Sequence, residues 1–232
     1  MPGSAFDEYS GSYEQALAQG IQVSGEDSSF FARGRLVWLA SYIARHNLST
    51  GSVLDYGCGT GNSLPMLREL LHASRVVGVD ISAASIAMAR QRFCEAQFEL
   101  STCDELPAAS LFDWAFCNGV FHHIPVVQRQ ESARFVWHHL QPGGHFAFFE
   151  NNPLNPGTRY VMSRIAFDHD AETLLPWAAR GLLKSAGFKI VRTDFLFFFP
   201  RPLAWLRRLE PALSQLPLGA QYMVLAQKPF LD

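Results

Sequence analysis

The 232-residue chain is 48% apolar and 13% aromatic, which excludes a disordered or fibrous protein and allows a sizeable core. Its formal net charge of −2, from 19 basic and 21 acidic residues, gives no overall electrostatic footprint for nucleic acid or an anionic membrane. No apolar run approaches the length of a membrane span.

The first residues, MPGSAFDEYSGSYEQ, carry no basic region followed by an apolar one, so a cytoplasmic protein is expected. The four cysteines, Cys58, Cys94, Cys103 and Cys117, form no C-x-x-C pair. Free buried thiols are expected, and no metal site.

In chain order, Phe30 to His46 has apolar residues at helical spacing, and Ser52 to Tyr56 is a short apolar strand. Asn62 to His72 reads as a helix starting after a glycine turn, Arg75 to Val79 as a strand and Ala83 to Phe93 as a helix. Gln97 to Leu100 and Phe112 to Cys117 read as strands, followed by a helix over Val126 to Leu140. The turn Gln141 to Gly144 leads to a strand at His145 to Phe149, and strand patterns return at Lys189 to Phe197 and Gln221 to Gln227. This alternation predicts an α/β fold with a doubly wound, mainly parallel sheet. One domain over residues 1–232 is expected, with residues 1–50 as an N-terminal helical cap.

Two segments break the rhythm. Residues 151–170 carry two Asn-Pro steps, and residues 199–219 are bounded by prolines around a short amphipathic helix. Insertions after strand ends build the substrate side of such folds. The two segments are therefore expected to meet over the strand ends, with Phe197, Phe199 and Trp205 as pocket walls and Arg159 and Tyr160 as polar anchors.

The stretch VLDYGCGTGN, Val53 to Asn62, has glycines at 57, 59 and 61, with Asn62 where a dinucleotide fingerprint places its third glycine. Asp55 stands two residues before the first of them. A pyrophosphate at a helix N-terminus is repelled by such a carboxylate, whereas a cationic ligand is attracted. Asp80, 19 residues past Gly61, ends the second strand where an acid commonly accepts from ribose hydroxyls. An adenosine ligand with a positively charged amino-acid end meets both demands, and S-adenosyl-L-methionine (SAM) has those parts.

The ordered series VLDYGCGTG, VVGVDIS, STCDELP, FDWAFCNGVFHHIP and LQPGGHFAFFE resembles that of class I SAM-dependent methyltransferases. The resemblance implies a Rossmann-like seven-stranded sheet with an antiparallel last strand. It implies that Asp55, Gly57, Cys58, Gly59 and Gly61 surround the methionine end and that Asp80 and Ile81 hold the ribose. Asp104, with Glu105 as a near alternative, would meet the adenine, and Asn118 and Gly119 would line the floor beneath the sulfonium. The expected activity is methyl transfer from SAM to a small, partly apolar molecule, with no nucleic-acid or membrane partner. The competing readings are a nicotinamide-dependent oxidoreductase and a catalytically silent SAM-binding subunit.

Catalytic candidates must sit at carboxyl ends of strands. His122 and His123 follow the fourth strand and Glu150 ends the fifth, so these three are the expected base or orienting groups. His138 and His139 are expected on a solvent-facing helix. The tetrad Asn151-Asn152-Pro153-Leu154 is similar to the N-P-P-aromatic tetrad of base-modifying amino-methyltransferases. It lacks the second proline and the aromatic, and reads instead as a turn fixing a lid. Tyr13 and Arg33 are candidate neighbours of the cofactor's carboxylate.

Overall fold

The computed structural model describes residues 20–93, 98–165 and 171–230. Tyr13, Cys94 and the last five residues of the 151–170 segment lie outside the described residues.

The elements run α1 (Ser28–Arg45), β1 (Ser52–Tyr56), α2 (Leu64–Leu71), β2 (Arg75–Asp80), α3 (Ala83–Arg92), β3 (Glu99–Thr102) and β4 (Phe112–Asn118). They continue with α4 (Val126–His138), β5 (Leu140–Asn151), α5 (Pro156–Met162), α6 (Pro176–Ser185), β6 (Lys189–Leu196), α7 (Glu210–Leu213) and β7 (Gln221–Gln227). The sheet order is β3-β2-β1-β4-β5-β7-β6. Every pairing from β3 through β5 is parallel, and β7 runs antiparallel between β5 and β6. The α/β fold with a mainly parallel seven-stranded sheet and an antiparallel last strand is what the sequence implies.

The parallel strands read as continuous apolar runs because both faces of the sheet are covered. Along β5 the side chains alternate: Phe146 and Phe148 join the core shared with Ala133, Val136 and Leu183 of α4 and α6. Ala147 and Phe149 join the opposite core with Leu36, Leu39 and Leu67 of α1 and α2. Many of the phenylalanines are thus core. α3 starts where Ser82 Oγ accepts from Ser85 N at 3.1 Å, a side-chain N-cap.

Several boundaries differ from the expectation. α2 begins at Leu64 rather than Asn62, because the turn continues through Ser63. β5 starts at Leu140: the Gln141–Gly144 turn lies inside the ladder as an irregularity, where the β4 register jumps from Leu140 to His145 and Gly143 takes φ 81°. β3 lies two residues later than expected. β6 ends at Leu196, because Phe197 takes a left-handed φ of 61°. The short helix expected within residues 199–219 is a 3₁₀ run, Arg201–Leu209, that continues into α7. His139 is buried, not solvent-facing; its Nδ1 lies 2.9 Å from Phe135 O.

α6 is absent from the sequence reading. It buries Pro176, Ala179 and Leu183 at helical spacing, a pattern weakened by Gly181 in its middle.

Candidate active site

The glycine turn leaves β1 under tight restraint. Gly57 N and Cys58 N both donate to Val79 O, at 2.8 and 3.0 Å, and Gly57, Gly59 and Gly61 have φ of 74°, 54° and 82°, the left-handed region that glycine enters at little cost. The three glycines nonetheless serve different ends. A β-carbon on Gly57 would lie 2.4 Å from Val120 Cγ2, and one on Gly61 2.8 Å from Phe93 Cε2. On Gly59 it would meet nothing within 4 Å. Close contact within the protein governs the outer glycines, and open space lies above the central one.

Asp55 is 2% exposed, and its Oδ2 has no hydrogen-bond partner. Burial, followed by the nearby charge of Asp80, pushes its pKa up to about 8. A buried carboxylate oxygen with nothing to accept from is a site for a cation or donor supplied from outside. Asp80 Oδ2 accepts from Gly59 N at 2.9 Å and Oδ1 from Ser82 N at 2.8 Å. The carboxylate thereby locks the turn to the end of β2. Cys58, 8% exposed, packs its sulfur beneath Gly78, and burial raises its thiol pKa well above the ordinary value. It fills space and is no nucleophile.

On the β3 side, Ile81 is 74% exposed at the mouth of the turn. Glu105 Oε2 accepts from Thr102 N at 3.1 Å in a capping box. That occupation leaves the exposed neighbour Asp104 as the better placed of the two for an outside ligand.

At the ends of β4 and β5 the carboxylate and one histidine meet. His122 Nδ1 lies 2.6 Å from Glu150 Oε2, with side chains 3% and 1% exposed. Glu150 Oε1 accepts from Phe121 N at 2.8 Å and His122 N at 3.3 Å, and Oε2 from Asn151 N at 3.2 Å. Burial raises the Glu150 pKa, but the adjacent His122 charge and these bonds outweigh it, leaving it below the usual value. Glu150 is therefore a buried anion that orients His122. The imidazole lies against Gly119, where a β-carbon would stand 3.5 Å from His122 Cε1, and beside half-buried His123, with ring centroids 4.0 Å apart. Gly119 takes φ 66° and donates to Phe149 O at 3.0 Å, turning the chain at the end of β4 next to half-buried Asn118.

The two insertions come together, through residues that the sequence did not single out for that task. Asn152, fully buried, donates from Nδ2 to Pro217 O and Gly219 O, and its Oδ1 accepts from Leu154 N. Asn155 Nδ2 donates to Leu218 O, and Thr158 Oγ1 to Ala220 O. The tetrad forms a turn tied to Pro217 and Gly219. The proposed pocket walls and anchors are not assembled. Phe197 packs on Phe30 and Phe31, with centroids 5.9 and 5.0 Å away, and Phe199 is half-buried. Trp205 is 65% and Tyr160 47% exposed, and Arg159 faces solvent. Arg33 pairs with Glu69 on an exposed face. Buried Arg35 was overlooked; its Nη1 donates to Gln221 Oε1 at 2.8 Å at the sheet edge that carries Glu150. No metal-competent cluster of His, Cys, Asp and Glu occurs among the described residues.

Residues 53–144 match the family model "Methyltransferase domain". A trans-aconitate 2-methyltransferase of Azoarcus sp. (strain BH72) is 33% identical over 130 residues, 56% of this chain and 47% of that protein. The chain spans about half the length of the curated relatives it matches. Among solved structures, an S-adenosylmethionine-dependent methyltransferase from Mesorhizobium loti aligns with a TM-score of 0.57 and 23% identity, over 82% of this chain and 98% of that one. A SAM-dependent methyltransferase from Thermotoga maritima, described as a possible histamine N-methyltransferase, aligns with a TM-score of 0.65 and 18% identity, over 96% and 97%. Residues 53–144 thus match a methyltransferase domain, and the strand order with the turn between β1 and α2 is the fold shared with these SAM-dependent methyltransferase structures.

Proposed function

We propose that this chain transfers a methyl group from SAM to a small molecule, with His122 holding the acceptor's proton. The observation that carries this reading is the partnerless Oδ2 of buried Asp55 beside the open space over Gly59, at the same edge of the sheet as the Glu150–His122 pair. SAM supplies an activated methyl group on a positively charged sulfur. Asp55 would hold the cationic amino-acid end, Asp80 the ribose hydroxyls, and Asp104 the adenine edge. Ile81 would cover the ring, and Asn118 and Gly119 would form the floor under the methyl group. Glu150 would orient the His122 imidazole through Nδ1, so that the ring could hold the proton of a hydroxyl or amine acceptor. Methyl transfer depends chiefly on alignment and exclusion of water, which the lid stitched by Asn152 and Asn155 can provide.

The same reading gives the chain no nucleic-acid partner and a cytoplasmic setting, in line with its net charge of −2. Among the described residues no helix is long and apolar enough to cross a membrane. The curated relatives are named for trans-aconitate, whose carboxylates would be methylated without a proton to remove. That acid is therefore tried beside a metabolite extract with hydroxyl and amine acceptors, screened for compounds that gain one CH₂. Thermal stabilisation by SAM and by its demethylated product, with a methylated acceptor in the mass spectrum, supports the proposal. SAM binding without any methylated product would favour a silent SAM-binding subunit.

A further inference from the structure

The connection from β6 to β7 lies on the protein as a surface strip. None of Arg201–Leu209 is buried. Trp205 is 65% exposed, Leu209 47%, Leu216 46% and Leu218 61%. A loop of a water-soluble chain that merely closes a hairpin has no reason to present four large apolar side chains in fourteen residues. Nor does slackness account for it. Arg207 Nη2 pairs with Glu26 at 2.8 Å and its guanidinium lies 4.4 Å from the Phe30 ring centroid. Glu210 Oε1 accepts from the N–H groups of Phe198 and Phe199, and Asn152 and Asn155 hold the carbonyls of residues 217–219. The strip is anchored from behind, with its apolar side outward.

Its charge is also lopsided. Arg201 and Arg208 are exposed within it, and Arg159 and Arg164 are exposed on the adjoining α5 side. The described acids nearby are Glu26, paired with Arg207, Glu210, held by backbone N–H groups, and Asp27, in the N-cap of α1. These three stand against the five arginines Arg159, Arg164, Arg201, Arg207 and Arg208. A chain of net charge −2 therefore carries, among its described residues, a cationic apolar face on one edge. The overall charge conceals it.

We propose that this face, centred on Trp205, Leu209 and Leu218 with Arg201 and Arg208 beside them, docks on an anionic lipid surface. Exposed Trp and Leu next to Arg is the composition of elements that lie in the plane of a membrane interface. A second copy of the chain is the poorer occupant. A twofold contact sets the same patch against itself and would bring Arg201 and Arg208 toward their own counterparts. An anionic bilayer satisfies the apolar and the cationic components together. Docking here faces the carboxyl ends of β5 and β6 toward the bilayer. The proposal does not rest on methyl transfer, and its test requires neither SAM nor an acceptor.

The experiment is flotation of the full chain with vesicles of phosphatidylcholine, with and without phosphatidylglycerol, at low and high salt. The expected result is flotation with the anionic vesicles alone, weakened by salt. A blue shift of tryptophan emission should accompany it and be missing in Trp205→Ser. Each surface arginine contributes about fivefold in affinity, so Arg208→Gln should weaken binding by that factor. Trp205→Ser with Leu209→Ser should abolish it, and Trp177→Ser, on the exposed surface of α6, should leave it unchanged. These side chains are exposed, so unchanged circular dichroism is expected for every variant. Any of three results overturns the proposal: no flotation with anionic vesicles, equal flotation with neutral ones, or a dimer that Trp205→Ser dissociates in sedimentation.

Discussion

His122 Nδ1 and Glu150 Oε2 are 2.6 Å apart, with both side chains almost wholly out of water, so the carboxylate dictates which imidazole nitrogen carries the proton. Glu150→Gln keeps the shape but offers either an amide N–H or a neutral oxygen to Nδ1. The expected result is a fall in kcat of about 10²-fold with SAM affinity nearly unchanged, measured by calorimetry and by initial rates on the acceptor. A loss confined to SAM binding would remove His122 from the proton-holding role.

Glu150 also sets a limit on acid tolerance. Its folded pKa lies below the ordinary 4.5, so its contribution to stability is complete above that value and is lost as pH falls beneath it. Denaturation midpoints taken downward from pH 6 should fall for the wild type as the pH drops below about 4.5. Glu150→Gln should start less stable and show a shallower decline.

Asp55 works in the opposite sense. With a folded pKa near 8 against 3.8 for the free side chain, it binds its proton more tightly when folded, so the ligand-free protein loses stability as pH rises between those values. Asp55→Asn should flatten that slope and raise the thermal midpoint at pH 8, while weakening SAM. Calorimetry in two buffers of different ionisation enthalpy should register proton release when SAM binds the wild type near pH 7. The release should vanish in the variant.

Gly57 and Gly59 should separate architecture from ligand contact. In Gly57→Ala the new methyl would stand 2.4 Å from Val120 Cγ2 at φ 74°, so lower stability and poor folding are expected. In Gly59→Ala it would meet no protein atom within 4 Å. The fold should survive at a cost of about 1–2 kcal/mol for the left-handed backbone, and SAM binding should suffer. Melting curves with and without SAM distinguish the two.

Asn152→Ala removes two donated bonds and one accepted bond from a fully buried position. Leaving Pro217 O and Gly219 O unsatisfied should destabilise by about 1–3 kcal/mol. Amide exchange should quicken at residues 152–158 and 216–220, and the acceptor KM should rise while SAM affinity holds.

The glycine turn was legible because its signals are local. A doubly buried strand, three glycines at spacing two and an acid at the end of the next strand can each be read without the rest of the chain, and the structure joins Gly59 to Asp80 and buries Asp55. The choice between His122 and His123 was not legible, since it depends on a short 3₁₀ turn, Phe121–His123, that aims only one of them at Glu150. The stitching of the insertions was hidden for a related reason. Asn152 reaches carbonyls 65 and 67 residues away, and no spacing rule announces a side chain bonded to distant backbone. Gly181 concealed α6 by diluting its apolar stripe.

The insertion of β7 between β5 and β6 sets Asn151 opposite Gln221 and Gln221 opposite Leu196. Two chain exits far apart in sequence thus open side by side, while Asp55, Asp80, Asp104 and Gly119 stand at or just past the ends of β1, β2, β3 and β4. Segments 151–165 and 197–220 can be lengthened, shortened or exchanged as one cassette without shifting Asp55, Gly59 or Asp80. A chimera carrying both segments from a relative should inherit that relative's acceptor and retain this chain's affinity for SAM, whereas exchanging one segment alone would break the seam at Asn152.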